Sequence, residues 1–323
     1  MAISVSNSKE SFLAFFEKNE DLPLFLKPWY LDACFKDEWE PVLVYKKTQL
    51  IGASAIPKSH NRKFFRVAKN KVLFPYLAVW IHSIPNQTYH SLGSREHEVL
   101  GVLASHLDSN FDRVNFRLYH DLSNWLPFYW KGFTESSVYT YIVKSSAEKD
   151  DFRKAYSAST RQTIKKGLQQ GIYVEHSKEL SILKEQVLMT FEKKGVSFQA
   201  DFDYVYRVVN ESFKNNSADL LLGKSAEGVV HCAVLIIKDD KMSYYMLGGS
   251  NPEMRSSGAV SVVMDYAIES SLKEGLHFNF EGSMLEGVSE FFRSFGATRH
   301  TCHKVVKNNS LVFKLRDALQ LLR

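Results

Sequence analysis

The sequence predicts a mixed α/β protein made of two similar halves. Three observations carry this. A chain of 323 residues exceeds what one core usually organises and fits about two domains. Apolar runs of strand length alternate along it with segments of helical period. The halves also correspond: a shift of 164 residues places Asn115-Phe116 on Asn279-Phe280, Val99 on Val263, Phe128 on Phe292 and Gly132 on Gly296. Helix, strand, short helix and strand then align without a gap, which reads as a duplication. The polar run "KSSAEKDD", Lys144 to Asp151, separates the halves, so domains over 1–146 and 147–323 are expected.

Each element follows from its local pattern. Ser8 to Asn19 reads as a short amphipathic helix, and Pro41 to Pro57 as a two-stranded hairpin. "FFRVAKNKVLF" continues in strand. A loop with Pro85, Asn86 and Gly93 leads into the helix "SREHEVLGVLASHLDSN", where Val99, Leu100, Leu103 and Leu107 have helical spacing and Ser94 is the expected N-cap. A strand "RVNFRLY", a short helix "DLSNWLPFYW" and a strand "SVYTYIV" complete the first half. The second opens with a helix over Phe152 to Gln170, closed by Gly171, and a strand "IYVEH". Two helices follow, Glu179 to Lys193 and Phe202 to Asn215, then strands "DLLLGK", "VVHCAVLIIK" and "MSYYMLGG". A long helix begins near Ser257. The strand "HFNF", a short helix, the strand "RHTCHKVVK" and a last helix end the chain.

Composition narrows the function. Apolar residues make up 45% and charged residues 24%, the balance of an ordinary soluble globular protein. A net charge of +5 does not by itself argue for nucleic acid and leaves room for an anionic ligand. Cys34, Cys232 and Cys302 are far apart and form no CxxC, which argues against a disulfide framework or a zinc site and for a reducing compartment. The first residues lack a basic segment followed by an apolar run, and no stretch approaches ~18 apolar residues, so a cytoplasmic protein without a membrane span is expected. There is no HExxH, GxSxG or Cys-His cluster, so neither a metal site nor a serine-hydrolase triad has support.

Four stretches can carry chemistry. In "YYMLGGSNPEMRSSGAVS" a strand ends in Gly248-Gly249 and passes through Arg255-Ser256-Ser257-Gly258-Ala259 into the long helix. Helix-opening amides and the positive dipole end can hold a phosphate or pyrophosphate; an ordinary cap by Ser256 or Ser257 is the other reading. In "FNFEGSMLEGVSEFFRSFGA" a buried strand ends at Glu281, where ligands of open α/β sheets collect. Glu281 there is a general base or an ammonium ligand, or else, with Ser283, a cap for the next helix. "FRKAYSASTRQTIKKGLQQGIYV" holds five Lys or Arg and no acid, with Lys154, Arg161 and Lys165 expected on one helical face. "KSHNRKFFRVAKNK", Lys58 to Lys71, holds six Lys or Arg and no acid, either a phosphate- or RNA-facing patch or a lysine-protected hairpin edge.

The order of elements from Glu179, with the Arg255–Ala259 turn, resembles the GNAT acyltransferase fold. That family's turn is Q/R-x-x-G-x-G/A; Val260 stands at the last position here, so the loop is degenerate. "SASTRQTIKKGLQQGIYVE" resembles the S-x-x-x-R-x-x-I-x-K-A-x-x-x-G-[IV] signature of the Fem-type aminoacyltransferases, which build peptidoglycan cross-bridges, and of their BioF2-like acetyltransferase relatives. "NFEGSMLEGVSEFFRSFGA" resembles their D-F-x-G-x…F-[YK]-x-x-F-G ending, and "LPLFLKPWYLDACF" their P-F-x-x-x-W-L segment. The match spans nearly the whole chain, and the members carry tandem duplicated GNAT-like domains. The long helical arm of some cross-bridge enzymes has no counterpart here.

The resemblance implies transfer of an acyl or aminoacyl group to an amine. Acetyl-CoA or another acyl-CoA is one donor, aminoacyl-tRNA the other, with no metal; the acceptor is a small molecule or a muropeptide-like, phosphate-bearing cell-wall precursor. It places the oxyanion-stabilising amide near Met246 or Leu247 and cofactor contacts at Arg255, Ser256, Ser257, Gly258 and Ala259. Tyr245 is the expected proton donor and Glu281 the expected base. Tyr244 and Tyr245 point to opposite faces of one strand, so at most one serves and the other is core. Lys27, Tyr30, Arg161 and Lys165 are expected acceptor contacts. Two other classes remain open: a catalytically silent ligand-binding or scaffold protein, marked by a turn at Arg255–Ala259 plugged by side chains, and an RNA-binding protein.

Overall fold

The structure, a computed structural model, describes residues 2–19, 22–61, 64–83, 88–145 and 151–321. Pro85 and Asn86, Arg62 and Lys63 of the basic patch, and most of the polar run between the halves lie outside them. The chain divides into two compact units, Met1–Val138 with Thr301–Arg323, and Tyr139–His300.

The first unit contains β1 (Ile3–Ser6), α1 (Lys9–Glu17), α2 (Pro28–Phe35), β2 (Trp39–Lys46), β3 (Gln49–Pro57), β4 (Ser59–Asn61), β5 (Phe65–Lys69), β6 (Val79–Ile81), α3 (Tyr89–Asn110), β7 (Arg113–Arg117) and α4 (Leu126–Tyr129). β1, β2, β3 and β6 form an antiparallel sheet. β5 pairs in parallel with β7 and antiparallel with β4. Ser8 caps α1, its hydroxyl accepting from the Ser11 amide at 3.1 Å. α3 begins earlier than the apolar period indicates: the cap is Thr88, whose hydroxyl accepts from the Ser91 amide at 3.2 Å, not Ser94. The added residues, Tyr89 to Gly93, hold one aliphatic side chain, Leu92, too few for a periodic signal.

β8 (Thr134–Val143) follows, and then the second unit's α5 (Ala158–Gln169), β9 (Tyr173–Ser177), α6 (Leu180–Lys193), α7 (Phe202–Lys214), β10 (Ala218–Lys224), β11 (Val230–Lys238), β12 (Met242–Ser250), α8 (Ala259–Lys273), β13 (His277–Asn279) and α9 (Glu286–Arg293). β14 (Thr298–Asn308) and α10 (Leu311–Leu321) end the chain. β9 to β12 form an antiparallel ladder in the order β9-β10-β11-β12, and β13 adds to β12 in parallel. α8 covers one face, where Val263, Met264 and Ala267 pack with Cys232, Val234, Ile236 and Phe278. α6 covers the other so closely that a Cβ on Gly249 would sit 2.1 Å from the Gln186 carbonyl oxygen.

The duplication is visible in the packing. Val99 and Val263, Phe116 and Phe280, and Phe128 and Phe292 are buried pairwise equivalents. Gly132 and Gly296 both turn through left-handed backbone, at φ 75° and 71°. The closing strands begin at Thr134 and Thr298, the same 164-residue offset. They are exchanged, however. β7 takes β14 as its antiparallel neighbour, with Val305 opposite Phe116. β13 takes the end of β8, with Val143 opposite Phe278 and Ile142 opposite Asn279.

One expected helix is broken. Phe152–Ala155 is a 3-10 turn, and α5 begins only at Ala158, where the Ser157 hydroxyl accepts from the Thr160 amide at 3.1 Å. Lys154 therefore does not share a helical face with Arg161 and Lys165; it lies 3.6 Å from Asp151. The turn directs Arg153 onto α8, where it donates to both oxygens of Asp265 (2.8 Å each from Nε and Nη2) and to Glu269 at 2.7 Å. The bond from Arg153 holds the Glu269 carboxyl below the ordinary carboxylate range, against the opposing effect of burial. A lowered folded-state pKa gives stability that is complete above the unfolded value and is lost as pH falls through the folded one. Arg153→Ala should therefore cost about 1–2 kcal/mol at neutral pH, less than a fully buried pair, because Arg153 keeps 38% of its side chain exposed. Denaturant melts should show this deficit shrinking below about pH 4.

Candidate active site

β12 is the strand on which the site is built. It pairs with β11 along its length, but the register slips: Tyr245 lies opposite Ile236 and Leu247 opposite Leu235. Met246 is thus the extra residue of a bulge, with no register partner on β11. A bulge bends its strand and re-aims the side chains around it. β13, on the other side, pairs only with Met242–Tyr244 and ends at Asn279. The two strands separate where the bulge begins, which leaves the main chain of Met246 at the mouth of the separation. Beyond it, α6 holds the departing strand. The Thr190 hydroxyl accepts from the Ser250 amide at 2.8 Å, and Gly249 lies directly against the Gln186 carbonyl. The glycines at 248 and 249 are required by this path rather than by flexibility.

The bulge decides which tyrosine faces the site. Tyr244 is fully buried, and its hydroxyl donates to Asp239 Oδ2 at 3.2 Å, so it is the core member of the pair. Tyr245 lies on the α8 face, its ring edge-on to Phe292 at 6.3 Å. Because Met246 is the extra residue, Tyr245 and Gly248 share a face, and a Cβ on Gly248 would meet the Tyr245 hydroxyl at 2.6 Å. Burial, with Cys232 alongside, pushes the phenol up to about 12. Tyr245 therefore keeps its proton across the neutral range.

Glu281 sits on the other lip. After Asn279 the chain reverses through two consecutive left-handed residues, Glu281 at φ 63° and Gly282 at φ 69°. Gly282 is obligatory, because a Cβ there would lie 1.9 Å from the Tyr139 carbonyl oxygen. Glu281 is a strained choice, since left-handed backbone costs a residue with a Cβ roughly 1–2 kcal/mol. Its amide donates to Asn279 Oδ1 at 2.8 Å, and the Thr140 hydroxyl donates to the same oxygen. The capping reading of Glu281 does not hold in this geometry. α9 starts at Glu286 with Leu285 at its N-cap, four residues past Glu281, and the Ser283 hydroxyl accepts from the Leu285 amide at 3.1 Å. Asn279, fully buried and bonded to the turn, was missed by sequence reasoning; its signal was a polar residue inside the apolar strand "HFNF".

The turn from Arg255 to Ala259 enters α8 as expected, but it is closed on one side. Gly258 is left-handed at φ 74°, and a Cβ there would be 2.9 Å from the Thr163 carbonyl oxygen of α5. Gly167 of α5 presses back on the Ser257 carbonyl and Val262. The plug is thus the α5 main chain rather than side chains. Ser257 Oγ accepts from the Ala259 amide at 3.3 Å, and Ala259 is buried, while Arg255 and Ser256 are exposed.

The expected acceptor contacts are distributed between the units. Arg161 and Lys165 lie one helical turn apart on the exposed side of α5 in the second unit, and Arg161 donates to the Tyr156 carbonyl. Lys27 and Tyr30 belong to the first unit. Tyr30 is a core residue with no exposed surface, and its hydroxyl donates to the Leu73 carbonyl. Lys27 is half-buried at the start of α2. Among the described residues no group of His, Cys, Asp and Glu side chains could hold a metal ion, and no helix is long and apolar enough to cross a membrane.

No family model matches the sequence, and no curated protein matches it. Solved structures match it along its length. FemX superposes with a TM-score of 0.67 at 14% identity, over 98% of this chain and 99% of that one. L-PGS from Bacillus licheniformis gives 0.56 at 13% identity, over 98% and 97%. A tandem GNAT protein from the clavulanic acid biosynthesis pathway gives 0.52 at 8% identity, over 94% and 98%. The chain therefore has the duplicated, GNAT-like α/β fold that these proteins share.

Proposed function

We propose that the protein transfers an aminoacyl or other acyl group to an amine, at the separation of β12 and β13. The observation that carries this reading is the bulge at Met246, which leaves that residue without a register partner on β11 beside the partly buried Tyr245, where β13 has ended. In this reading an acceptor amine gives its proton to Glu281 and attacks the donor carbonyl. The amide of Met246 or Leu247 stabilises the oxyanion, and Tyr245 protonates the leaving oxygen or sulfur.

Two features favour an ester donor, as in aminoacyl-tRNA, over a CoA thioester. A thiolate, with an ordinary pKa of about 8.5, is far too weak a base to need a proton from a phenol raised to about 12, whereas an alkoxide leaving group is basic enough. The α8 entrance is also partly occupied, by Ser257 on the Ala259 amide and by α5 on Gly258. The acceptor class that accompanies this reading is a phosphate-bearing, muropeptide-like amine, with Arg161 and Lys165 as exposed cations for it. The BioF2-like acetyl transfer reading is its competitor.

A thermal-shift screen separates them. A ligand at about 100 times its Kd adds about 2.7 kcal/mol, a shift of several degrees. A shift with aminoacyl-tRNA or UDP-linked muropeptides and none with acetyl-CoA or longer acyl-CoAs is expected. A CoA shift lost in Arg255→Ala would replace the donor, and no shift with any of them would overturn transfer. Tyr245→Phe is expected to lower kcat about a hundredfold with KM unchanged.

A further inference from the structure

α10 of the first unit has a surface that the transfer reading leaves unused. The helix is anchored on one side only. Phe313 is buried, its ring 5.1 Å from that of Phe65, and Asp317 accepts from Arg113 at 3.0 Å and from Asn308 at 2.8 Å. At about 100° per residue, Leu311, Leu315, Leu319 and Val312 fall within an arc of roughly 100° on the opposite side. They are 73%, 66%, 64% and 56% exposed. Lys314 stands at one border of this arc by the same geometry, whereas Arg316, beyond the other border, folds back over the Phe313 ring at 5.2 Å and donates to Asp317 at 2.8 Å. Phe64, 86% exposed, immediately precedes the residue that touches Phe313, and Arg66 and Lys69 of β5 are exposed nearby in sequence. Asp317 is shared by Arg113 and Arg316, so its charge is already matched.

We propose that this face seats on an anionic phospholipid bilayer. An apolar arc with Lys314 at its border, and with Arg66 and Lys69 exposed on the strand that anchors the helix, has the chemistry of a helix lying in a membrane interface, where leucines enter the acyl boundary and Lys and Arg stems reach out to headgroup phosphates. A second copy of the chain fits the pattern less well, because the arc carries a cation, Lys314, at its border and no acid within it to answer that charge on another copy. Arg66 and Lys69, exposed members of the basic stretch that the active site does not use, supply the same sign of charge on the strand that follows Phe64.

The test is co-sedimentation of the full chain with vesicles of pure phosphatidylcholine and with vesicles containing roughly a third phosphatidylglycerol. Binding to the anionic vesicles, weak binding to the neutral ones and loss with added salt are expected. Leu315→Gln/Leu319→Gln and Lys314→Gln/Lys69→Gln should each lower partitioning at least about tenfold, with Tm unchanged because the side chains are exposed. Phe64→Ala should lower it further. Failure of the parent to bind anionic vesicles overturns the proposal, as does binding unaffected by the leucine variant. A dimer by light scattering that the leucine variant converts to monomer, with no vesicle binding, would assign the face to a second copy instead.

Discussion

Glu281→Gly is expected to leave the protein between equally stable and about 1 kcal/mol more stable, while kcat/KM for transfer falls about a hundredfold. The two effects have separate sources. Glycine removes the Cβ that the left-handed turn at φ 63° penalises, and part of that gain is offset by the greater freedom of glycine in the unfolded chain. The main-chain bond from residue 281 to Asn279 Oδ1 survives, because it uses the amide. The carboxylate goes, and with it the proposed base. Glu281→Gln separates the two: the strain remains, stability should match the parent, and activity should fall as in the glycine variant. Strain kept at a position where glycine would fit is the kind of cost that a functional side chain explains. If Glu281→Gly destabilises the protein and leaves transfer intact, Glu281 is a structural residue and the base lies elsewhere.

Much of this geometry was legible in the sequence, because it depends on local pattern. Most of the helix and strand order, and the matched pairs Val99/Val263, Phe116/Phe280 and Phe128/Phe292, follow from periodicity and spacing, whereas the short elements β1, α2, β4 and β6 were not read. The placement of Glu281 at a strand end followed from "HFNF" and the residues after it. What was hidden depends on pairing or on competition between neighbouring signals. The bulge at Met246 arises from how β12 registers with β11, and no residue in "MSYYMLGG" marks it. The break at Tyr156–Ser157 was masked because "FRKAYSASTRQ" has no proline or glycine; a good capping serine ended one segment and began another. The helix start at Thr88 was masked by a nearer, equally competent cap at Ser94. Tyr30 was read as a ligand from its motif, but its hydroxyl is spent on the Leu73 carbonyl, a contact 43 residues away that no local pattern reports.

The exchanged closing strands make the second large prediction. β8 and β14 are equivalents in the repeat, so both fit the same sheet position equally well by pattern, and sequence cannot say which half each one completes. In the structure β14 completes the first unit, so residues 1–146 expressed alone should not fold. They would lack Val305 and Phe313, both buried, worth about 1.5–3 kcal/mol each, and the ladder of Lys304–Asn308 on Arg113–Arg117, with each bond contributing roughly 0.5–1.5 kcal/mol. That loss is comparable with the whole stability of a domain, about 5–15 kcal/mol. It would also expose β7 as an edge carrying Val114 and Phe116, a template for aggregation. Residues 139–300 form a contiguous unit that retains Tyr141–Val143 beside β13, and should unfold in one cooperative transition. Residues 147–323 have lost that strand and should not. Appending residues 301–321 to 1–138 through a flexible linker should restore near-ultraviolet circular dichroism and a sharp melt to the first unit. Cooperative folding of 1–146 alone would mean that β14 merely decorates the sheet it joins. Failure of 139–300 to fold would mean that its core needs residues from outside the unit.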